Sequence, residues 1–393
     1  MIDLSLAALA CAVWVYLALG RGGFWRGLQD DRAMHEALRA TAGAMRSWPA
    51  VVAVIPARNE AELVGETVAS LLAQRYAGRL SVIVVDDHSD DGTAEVAAHA
   101  AVTAGCRARL TVLASPALPA DWTGKLWAVA TGVAHADRLP GPPRFLLLTD
   151  ADIRYTPDAV AALVSSAVEH RLVLSSLMVK LRCVSLAERT LIPAFVFFFQ
   201  MLYPFAWVNQ PHRRTAAAAG GCMLVDRAAL QSAGGIAAIR GALIDDCALA
   251  GRLKPQGAIQ LALGEQVQSL RAYPSFSDIR RMVVRSAYAQ LRFAPWRLAL
   301  VVIAMAMVFV APVVFAIAGS GWTQALGLVA WVLMALLFAP MTRRYGVPAW
   351  WCVGLPVVAS VYLAFTVESA FQHARGRGGL WKGRVNGSPV GTP

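Results

Sequence analysis

Short β-branched runs and helical stripes alternate through the middle of the chain, and long uncharged apolar blocks flank them. Residues 51–55 (VVAVI), ended by Pro56, predict a buried strand. A helix is expected over 61–74, with Leu63, Val64, Val68, Leu71 and Leu72 on one stripe. Asn59, three residues before Glu62, resembles a capping box at its start. Residues 81–85 (SVIVV) and 145–148 (FLLL) repeat the strand pattern. Helices are expected after each, from near Thr93 and from Thr156-Pro157, an N-cap followed by proline at the first helical position. Such alternation predicts an α/β domain with a parallel sheet and right-handed crossovers.

The flanking blocks predict membrane segments. Residues 4–19 carry no charge and are followed by Arg21 and Arg26. Without a basic leader or a small-residue cleavage site, they read as an anchor that leaves the next domain in the cytoplasm. Three further apolar blocks lie at 298–318, 324–340 and 348–367. The expected organisation is an N-terminal anchor (1–22), a cytosolic domain (45–290), C-terminal membrane helices (291–370) and a basic tail (371–393). The charges do not close this topology. Arg343 and Arg344 place the end of the second C-terminal block inside, and a third full span then puts Arg375, Arg377, Lys382 and Arg384 outside, against the positive-inside rule. One C-terminal segment is therefore expected to be re-entrant or interfacial. Residues 191–208, broken by Pro193 and Pro204, read either as a core helix of the cytosolic domain or as a helix in the headgroup region.

Composition agrees with a membrane-attached chain that is too charged in its middle to be a pure membrane bundle. Hydrophobic residues make up 57% and charged residues 16%, with a mean hydropathy of +0.51. A plain soluble domain is less apolar and more charged, and a disordered chain far less apolar. The net charge is +11. No nucleic-acid motif or aromatic-interleaved basic block accompanies it, so a membrane surface is the expected partner and nucleic acid is not. The six cysteines are scattered without zinc spacing and read as buried reduced thiols.

The candidate chemistry is carboxylate. Strand 81–85 runs into Asp86-Asp87-His88-Ser89-Asp90-Asp91, and strand 145–148 into Thr149-Asp150-Ala151-Asp152. In a parallel sheet these loops share the C-terminal strand edge, where ligands bind. At an effective dielectric of 20, two like charges 4 Å apart repel by about 4 kcal/mol. A divalent cation (Mg or Mn) bound to a diphosphate relieves this, and Asp150-x-Asp152 supplies suitable oxygen ligands. Turn chemistry is the plainer role for one of Asp86 and Asp87, and His88 reads as a loop residue. Asp245 and Asp246 open a further helical stretch: one acid suits helix capping, the other a general base in the crevice. Gly220-Gly221 suits close backbone approach to a sugar or a tight bend. Lys125, at the start of a helix, reads as a phosphate or sugar contact or as a solvated lysine, and the tail residues 381–384 as a site contact or a headgroup anchor.

These motifs resemble family 2 glycosyltransferases with the GT-A fold. The likeness rests on Ile55-Pro56-Ala57-Arg58-Asn59-Glu60, on Val85 to Thr93, on Thr149-Asp150-Ala151-Asp152, on Gly220 to Leu224 and on Ile244 to Leu249, so it covers 51–290. Within the family the chain looks most like the hopanoid-associated subgroup. It shares an N-terminal anchor, the stretch Arg281 to Arg285 followed by Tyr288 to Leu291, and an apolar C-terminus. The resemblance implies a mostly parallel sheet, with Pro56, Arg58, Glu60, Asp86 and Asp87 lining the nucleotide pocket. It also implies Asp150 and Asp152 on the diphosphate through a divalent cation, Asp152 as the direct ligand, and Asp246 as base. Asp245 stands where the family more often has Glu. The Gln-x-x-Arg-Trp motif of many membrane members is missing, and Arg281 and Arg285 are the nearest substitutes for its diphosphate contact.

The expected activity is inverting transfer of a sugar from a nucleotide-diphosphate sugar, in particular a UDP-sugar, to a lipid acceptor such as a hopanoid. The expected setting is the cytoplasmic face of a bacterial inner membrane. Transfer to polyprenyl phosphate and a non-catalytic scaffold of lipid synthesis are the alternatives.

Overall fold

The computed structural model describes residues 2–41 and 47–376. Its contacts sort into two units. An α/β unit holds residues 29–181 and 207–271, and a helical unit holds 2–28, 182–206 and 272–376. The span 45–290, expected as one domain, thus contributes residues 182–206 and 272–290 to the helical unit.

The α/β unit is built on one eight-stranded sheet: β1 (Val51–Ala57), β2 (Leu80–Asp86), β3 (Leu110–Ala114), β4 (Phe145–Leu148), β5 (Ile153–Tyr155), β6 (Leu172–Lys180), β7 (Met223–Asp226) and β8 (Ala258–Ser269). The order across the sheet is β3-β2-β1-β4-β7-β6-β8-β5. The pairings leave only β7 and β5 running against the other six strands, which is the mostly parallel sheet of a GT-A-like fold. β1 lies between β2 and β4 and is buried throughout, as two covered faces require of a parallel strand.

Pro56 does not end β1. It pairs in register with Val85, while β4 stops opposite Val54. The proline nitrogen points to the side β4 has left, so no ladder bond is lost. The helix expected over 61–74 is the shorter Val64–Leu72, without a side-chain cap. Asn59 is at φ 50° and its Oδ1 accepts the Asp90 N–H, so no capping box forms. The next helices are Thr93–Thr103 and Ala159–Glu169. Thr156 does not cap the latter, because its hydroxyl is bonded to Gln266.

Residues before β1 also join the sheet. Asp30 bridges Leu263, and the buried Asp31 carboxylate accepts the N–H groups of Glu265 (2.7 Å) and Gln266 (2.9 Å).

The helical unit contains apolar helices long enough to cross a bilayer: Ile2–Leu19, Pro295–Ala318, Gly321–Arg344 and Ala349–Ala374. A fifth, Leu186–Val208, begins in this unit. The helix Leu186–Leu202 starts on a Ser185/Glu188 capping box. It packs among the apolar helices, with Phe197 against Phe24 and Phe338, and Phe198 against Phe309 and Tyr362. It is therefore not a core helix of the α/β domain.

Pro312 shapes the helix Pro295–Ala318. Its missing N–H leaves the Val308 carbonyl without a helical donor, the helix widens to π geometry over Ala306–Val310, and Trp14 Nε1 donates to Val308 O at 2.7 Å. After Arg344 the chain folds back along its own helix, and Trp331 Nε1 donates to Val353 O at 3.1 Å. The final helix, Leu355–Ala374, then runs to the start of Pro295–Met305: Ser369 bonds Tyr288 N–H at 3.0 Å, and His373 stacks on Phe293 at 4.3 Å. Among the described residues the cysteines form no disulfide; Cys222 and Cys352 are buried and the other four are half-buried.

Candidate active site

The first rim of the crevice is made by the loops after β1 and β2, which are laced together. Ser89 Oγ accepts the Asn59 N–H (3.0 Å), Thr93 Oγ1 that of Glu60 (2.9 Å), and Asp91 Oδ2 that of Ala61 (3.0 Å). Arg58 donates to the carbonyls of Asp87 and His88 and lies 3.7 Å from the buried Asp87 carboxylate. Asp86 accepts the Ser89 hydroxyl and N–H, so its carboxylate closes the turn after β2. Turn chemistry is thus present at Asp86 and Asp91. Asp87 is instead fully buried under Arg58.

The Asp150-Ala151-Asp152 segment is pinned from three sides. Thr67 Oγ1 donates to Ala151 O (2.8 Å), Leu270 N–H to Asp152 O (2.8 Å), and Tyr155 OH to Thr149 Oγ1 (2.8 Å). Thr149 in turn donates to Gly221 O at 2.8 Å, which ties the end of β4 to the Gly220-Gly221 segment. A Cβ on Gly221 would lie 3.0 Å from Val179 Cγ1, so this glycine serves packing. A Cβ on Gly220 would face Lys125 Nζ (3.5 Å) and Asp246 Oδ2 (3.6 Å), so that glycine lies at the crevice.

The Gly220 N–H donates to Asp246 Oδ2 at 3.0 Å, and the Cys247 N–H to Asp246 Oδ1 at 2.7 Å. Both come from the helix Asp245–Leu253 and the loop facing it. Burial and the neighbouring Asp245 charge push the Asp246 carboxyl up to about 6; the two N–H donors and Lys125 only partly oppose this. A carboxylate with that pKa is ionised at neutral pH and is a stronger base than an ordinary aspartate.

Lys125 follows the Thr123 N-cap of the helix Gly124–Asp137. Its Nζ lies 2.9 Å from Asp150 Oδ1 and 3.0 Å from Asp245 Oδ2, with its side chain 22% exposed. Burial opposes its charge, but the two carboxylates outweigh that and hold the ammonium above the usual lysine range. It is a bridging cation, not a solvated lysine. Pro56, Lys125, Asp150, Gly220 and Asp245 line one cavity, walled by Leu126, Val129 and Leu249.

A second cation was not anticipated from the sequence. Arg271, just past β8, places Nε 2.8 Å from Asp152 Oδ2 and Nη2 2.7 Å from both oxygens of Glu60. Asp152 is 7% exposed, and burial and the Asp150 charge raise its pKa against Arg271. The only sequence signal was an arginine closing an alternating strand. Of the remaining candidates, Arg281 belongs to the helical unit, in the helix Phe276–Val284, where it pairs with Asp278. Arg285 ends that helix. Residues 381–384 lie outside the described residues.

The donor set suits a divalent cation brought with a diphosphate. Among the described residues no cluster of three or more His, Cys, Asp or Glu side chains forms a cage. Mg²⁺ and Mn²⁺, however, take one or two carboxylates and complete their shells with phosphate and water oxygens. The crevice offers the Asp150-x-Asp152 carboxylates and surplus negative charge: Glu60, Asp150, Asp152, Asp245 and Asp246 surround Lys125 and Arg271.

No curated protein matches the chain in sequence. Residues 52–234 match the sequence model of Glycosyl transferase family 2. Among solved structures, the mannosyltransferase PcManGT from Pyrobaculum calidifontis, in complex with GDP-Man and Mn²⁺, is similar with a TM-score of 0.52 at 17% identity. The match covers 93% of this chain and 99% of that one. Mannosyl-3-phosphoglycerate synthase from Rubrobacter xylanophilus gives a TM-score of 0.40 at 20% identity, over 68% and 82% of the two chains. The sheet with its strand-end acids and the similarity to the mannosyltransferase structure give a GT-A-like α/β fold, within which residues 52–234 match the model of Glycosyl transferase family 2.

Proposed function

We propose that the protein is a membrane-bound inverting glycosyltransferase that moves a sugar from a nucleotide-diphosphate sugar to the hydroxyl of a lipid. The observation that carries this reading is the placement of Asp246. It is held by the Gly220 N–H beside the cavity of Lys125, Asp150 and Asp245, its pKa raised to about 6. In this reading Asp246 takes the acceptor proton as the hydroxyl oxygen attacks the anomeric carbon from the face opposite the departing diphosphate. The new C–O bond forms as the bond to the diphosphate breaks, and the configuration inverts. Asp150 and Asp152 would hold a divalent cation, which supplies charge stabilisation for the leaving diphosphate. Lys125 fixes Asp150 and Asp245, and Pro56, Arg58, Glu60, Asp86 and Asp87 form the nucleotide side. The complex of the similar mannosyltransferase with GDP-Man and Mn²⁺ supports a nucleotide-sugar donor and a cation.

The apolar helices support a lipid acceptor, and the hopanoid-like motifs make a hopanoid or related polyol lipid the candidate. The contacts also suggest a topology. The fold-back at Val353 and the stacking of His373 on Phe293 bring Arg375 to the side on which Pro295–Met305 begins. A re-entrant final segment of this kind reconciles the basic tail with the positive-inside rule. Arg375 and the start of Pro295–Met305 are then on the same, cytoplasmic side. A cysteine placed at Arg375 is expected to resist an impermeant thiol reagent in intact cells, and ready labelling refutes this topology.

The decisive test of function is deletion of the gene followed by lipid mass spectrometry. Loss of one lipid with accumulation of a species lighter by one sugar supports the reading. Unchanged glycolipids with an altered surface polymer refute the lipid acceptor.

A further inference from the structure

The two acids of Asp150-x-Asp152 are held differently. Asp150 lies against Lys125, at the cavity. Asp152 is gripped by the tripeptide that ends β8: Leu270 N–H bonds its carbonyl at 2.8 Å, and Ser269 Oγ (3.4 Å) and Arg271 Nε (2.8 Å) both reach its Oδ2. Among the described residues its Oδ1 accepts no hydrogen bond. The same guanidinium uses Nη2 to take both oxygens of Glu60, the acid after β1. The side chains are 10%, 11% and 30% exposed for Asp152, Glu60 and Arg271, so the clamp is largely shielded from water and salt.

We propose that Arg271 is the positioning residue of the cation site: by holding Oδ2 of Asp152 while braced on Glu60, it presents Oδ1 as the one oxygen offered to a divalent cation. This rests on the glycosyltransferase reading above and extends it to a residue outside the matched family segment, 52–234. The physical basis is that an outer partner fixes the orientation of a ligating carboxylate, and its loss costs 10- to 100-fold in metal affinity. Only a planar fork reaches two carboxylates from adjacent nitrogens, so lysine keeps the charge but not the grip.

The test is direct binding of Mn²⁺ to the full chain in detergent, read from the electron paramagnetic resonance signal of free Mn²⁺, with and without UDP or GDP. Arg271→Lys and Arg271→Gln are both expected to weaken Mn²⁺ binding by about 10- to 100-fold. Glu60→Gln, which removes the brace and leaves the Asp152 contact, is expected to give a smaller loss. Unchanged or tighter binding by folded Arg271→Gln overturns the proposal and makes Arg271 a competing counter-charge. If circular dichroism shows that variant unfolded, Arg271→Lys and Glu60→Gln decide in the same way. No Mn²⁺ binding by the wild-type chain, alone or with either nucleotide, instead overturns the cation-dependent reading itself, and the positioning role with it.

Discussion

Replacing Asp246 by asparagine separates catalysis from folding. The side chain keeps its size and an oxygen that can accept the Gly220 N–H, now 3.0 Å away, but its amide nitrogen then faces the Cys247 N–H, which Asp246 Oδ1 accepts at 2.7 Å. If Asp246 is the general base proposed above, turnover is expected to fall by about 10²–10⁴-fold, the usual contribution of a positioned base. The charge contribution to stability is expected to move the other way. The Asp246 carboxyl sits at about 6 in the fold against 3.8 for a free aspartate. At 1.36 kcal/mol per pH unit, keeping it ionised costs the fold on the order of 3 kcal/mol. The sign follows from linkage. A carboxyl raised in the fold favours the folded state while it is protonated, and that contribution is lost as pH rises from about 4 through about 6. Asparagine removes the penalty at pH 7. Leaving the Cys247 N–H without its acceptor costs about 1–3 kcal/mol and offsets much of that gain, so the variant should unfold close to the wild-type temperature, bind nucleotide normally and transfer almost no sugar. The assay pairs thermal unfolding in detergent with transfer from a labelled nucleotide sugar. In the wild type, activity should fall tenfold per pH unit below about 6, with the folded fraction unchanged. Wild-type turnover by folded Asp246→Asn protein refutes the base assignment and would favour an already anionic acceptor such as polyprenyl phosphate.

Lys125→Met leaves Asp150 and Asp245 without their shared ammonium. A loss of about 1.5–3 kcal/mol, the worth of a hydrogen bond to a charged group, is expected in denaturant unfolding, and unchanged stability would show the bridge to be solvent-screened. Gly221→Ala puts a Cβ 3.0 Å from Val179 and should cost about 1–3 kcal/mol by overpacking. Gly220→Ala has ordinary spacing, so it should keep the wild-type melting temperature and change turnover instead. Equal melting temperatures for the two variants contradict this split. Trp14→Phe removes the donor to Val308 O and should cost about 0.6–1.7 kcal/mol. The cost should shrink in a Pro312→Ala background, where the helix regains its own N–H, and a double-mutant cycle with no coupling refutes that account.

The sequence by itself determined what local physics specifies. Apolar runs of four or five residues drew β1, β2 and β4, and uncharged blocks drew the apolar helices, because strand period and hydrophobic length are written in neighbouring residues. The acids at the strand ends were legible for the same reason: a parallel sheet sends every such loop to one edge. Helix starts were less legible, since Thr156 and Asn59 spend their side chains on Gln266 and Asp90 instead of on the helices they precede. Only the tertiary structure decided the partners. Arg271 reaches Glu60 across 211 residues and Asp152 across 119, and no local pattern encodes such a pairing. Lys125 changes from a helix-start lysine to a bridging cation only when two distant carboxylates arrive. The helix Leu186–Leu202, apolar in sequence, takes its place from the aromatic side chains that meet Phe197 and Phe198. Hydrophobicity says that a surface must be covered, and it is non-directional; which surface covers it is settled by packing.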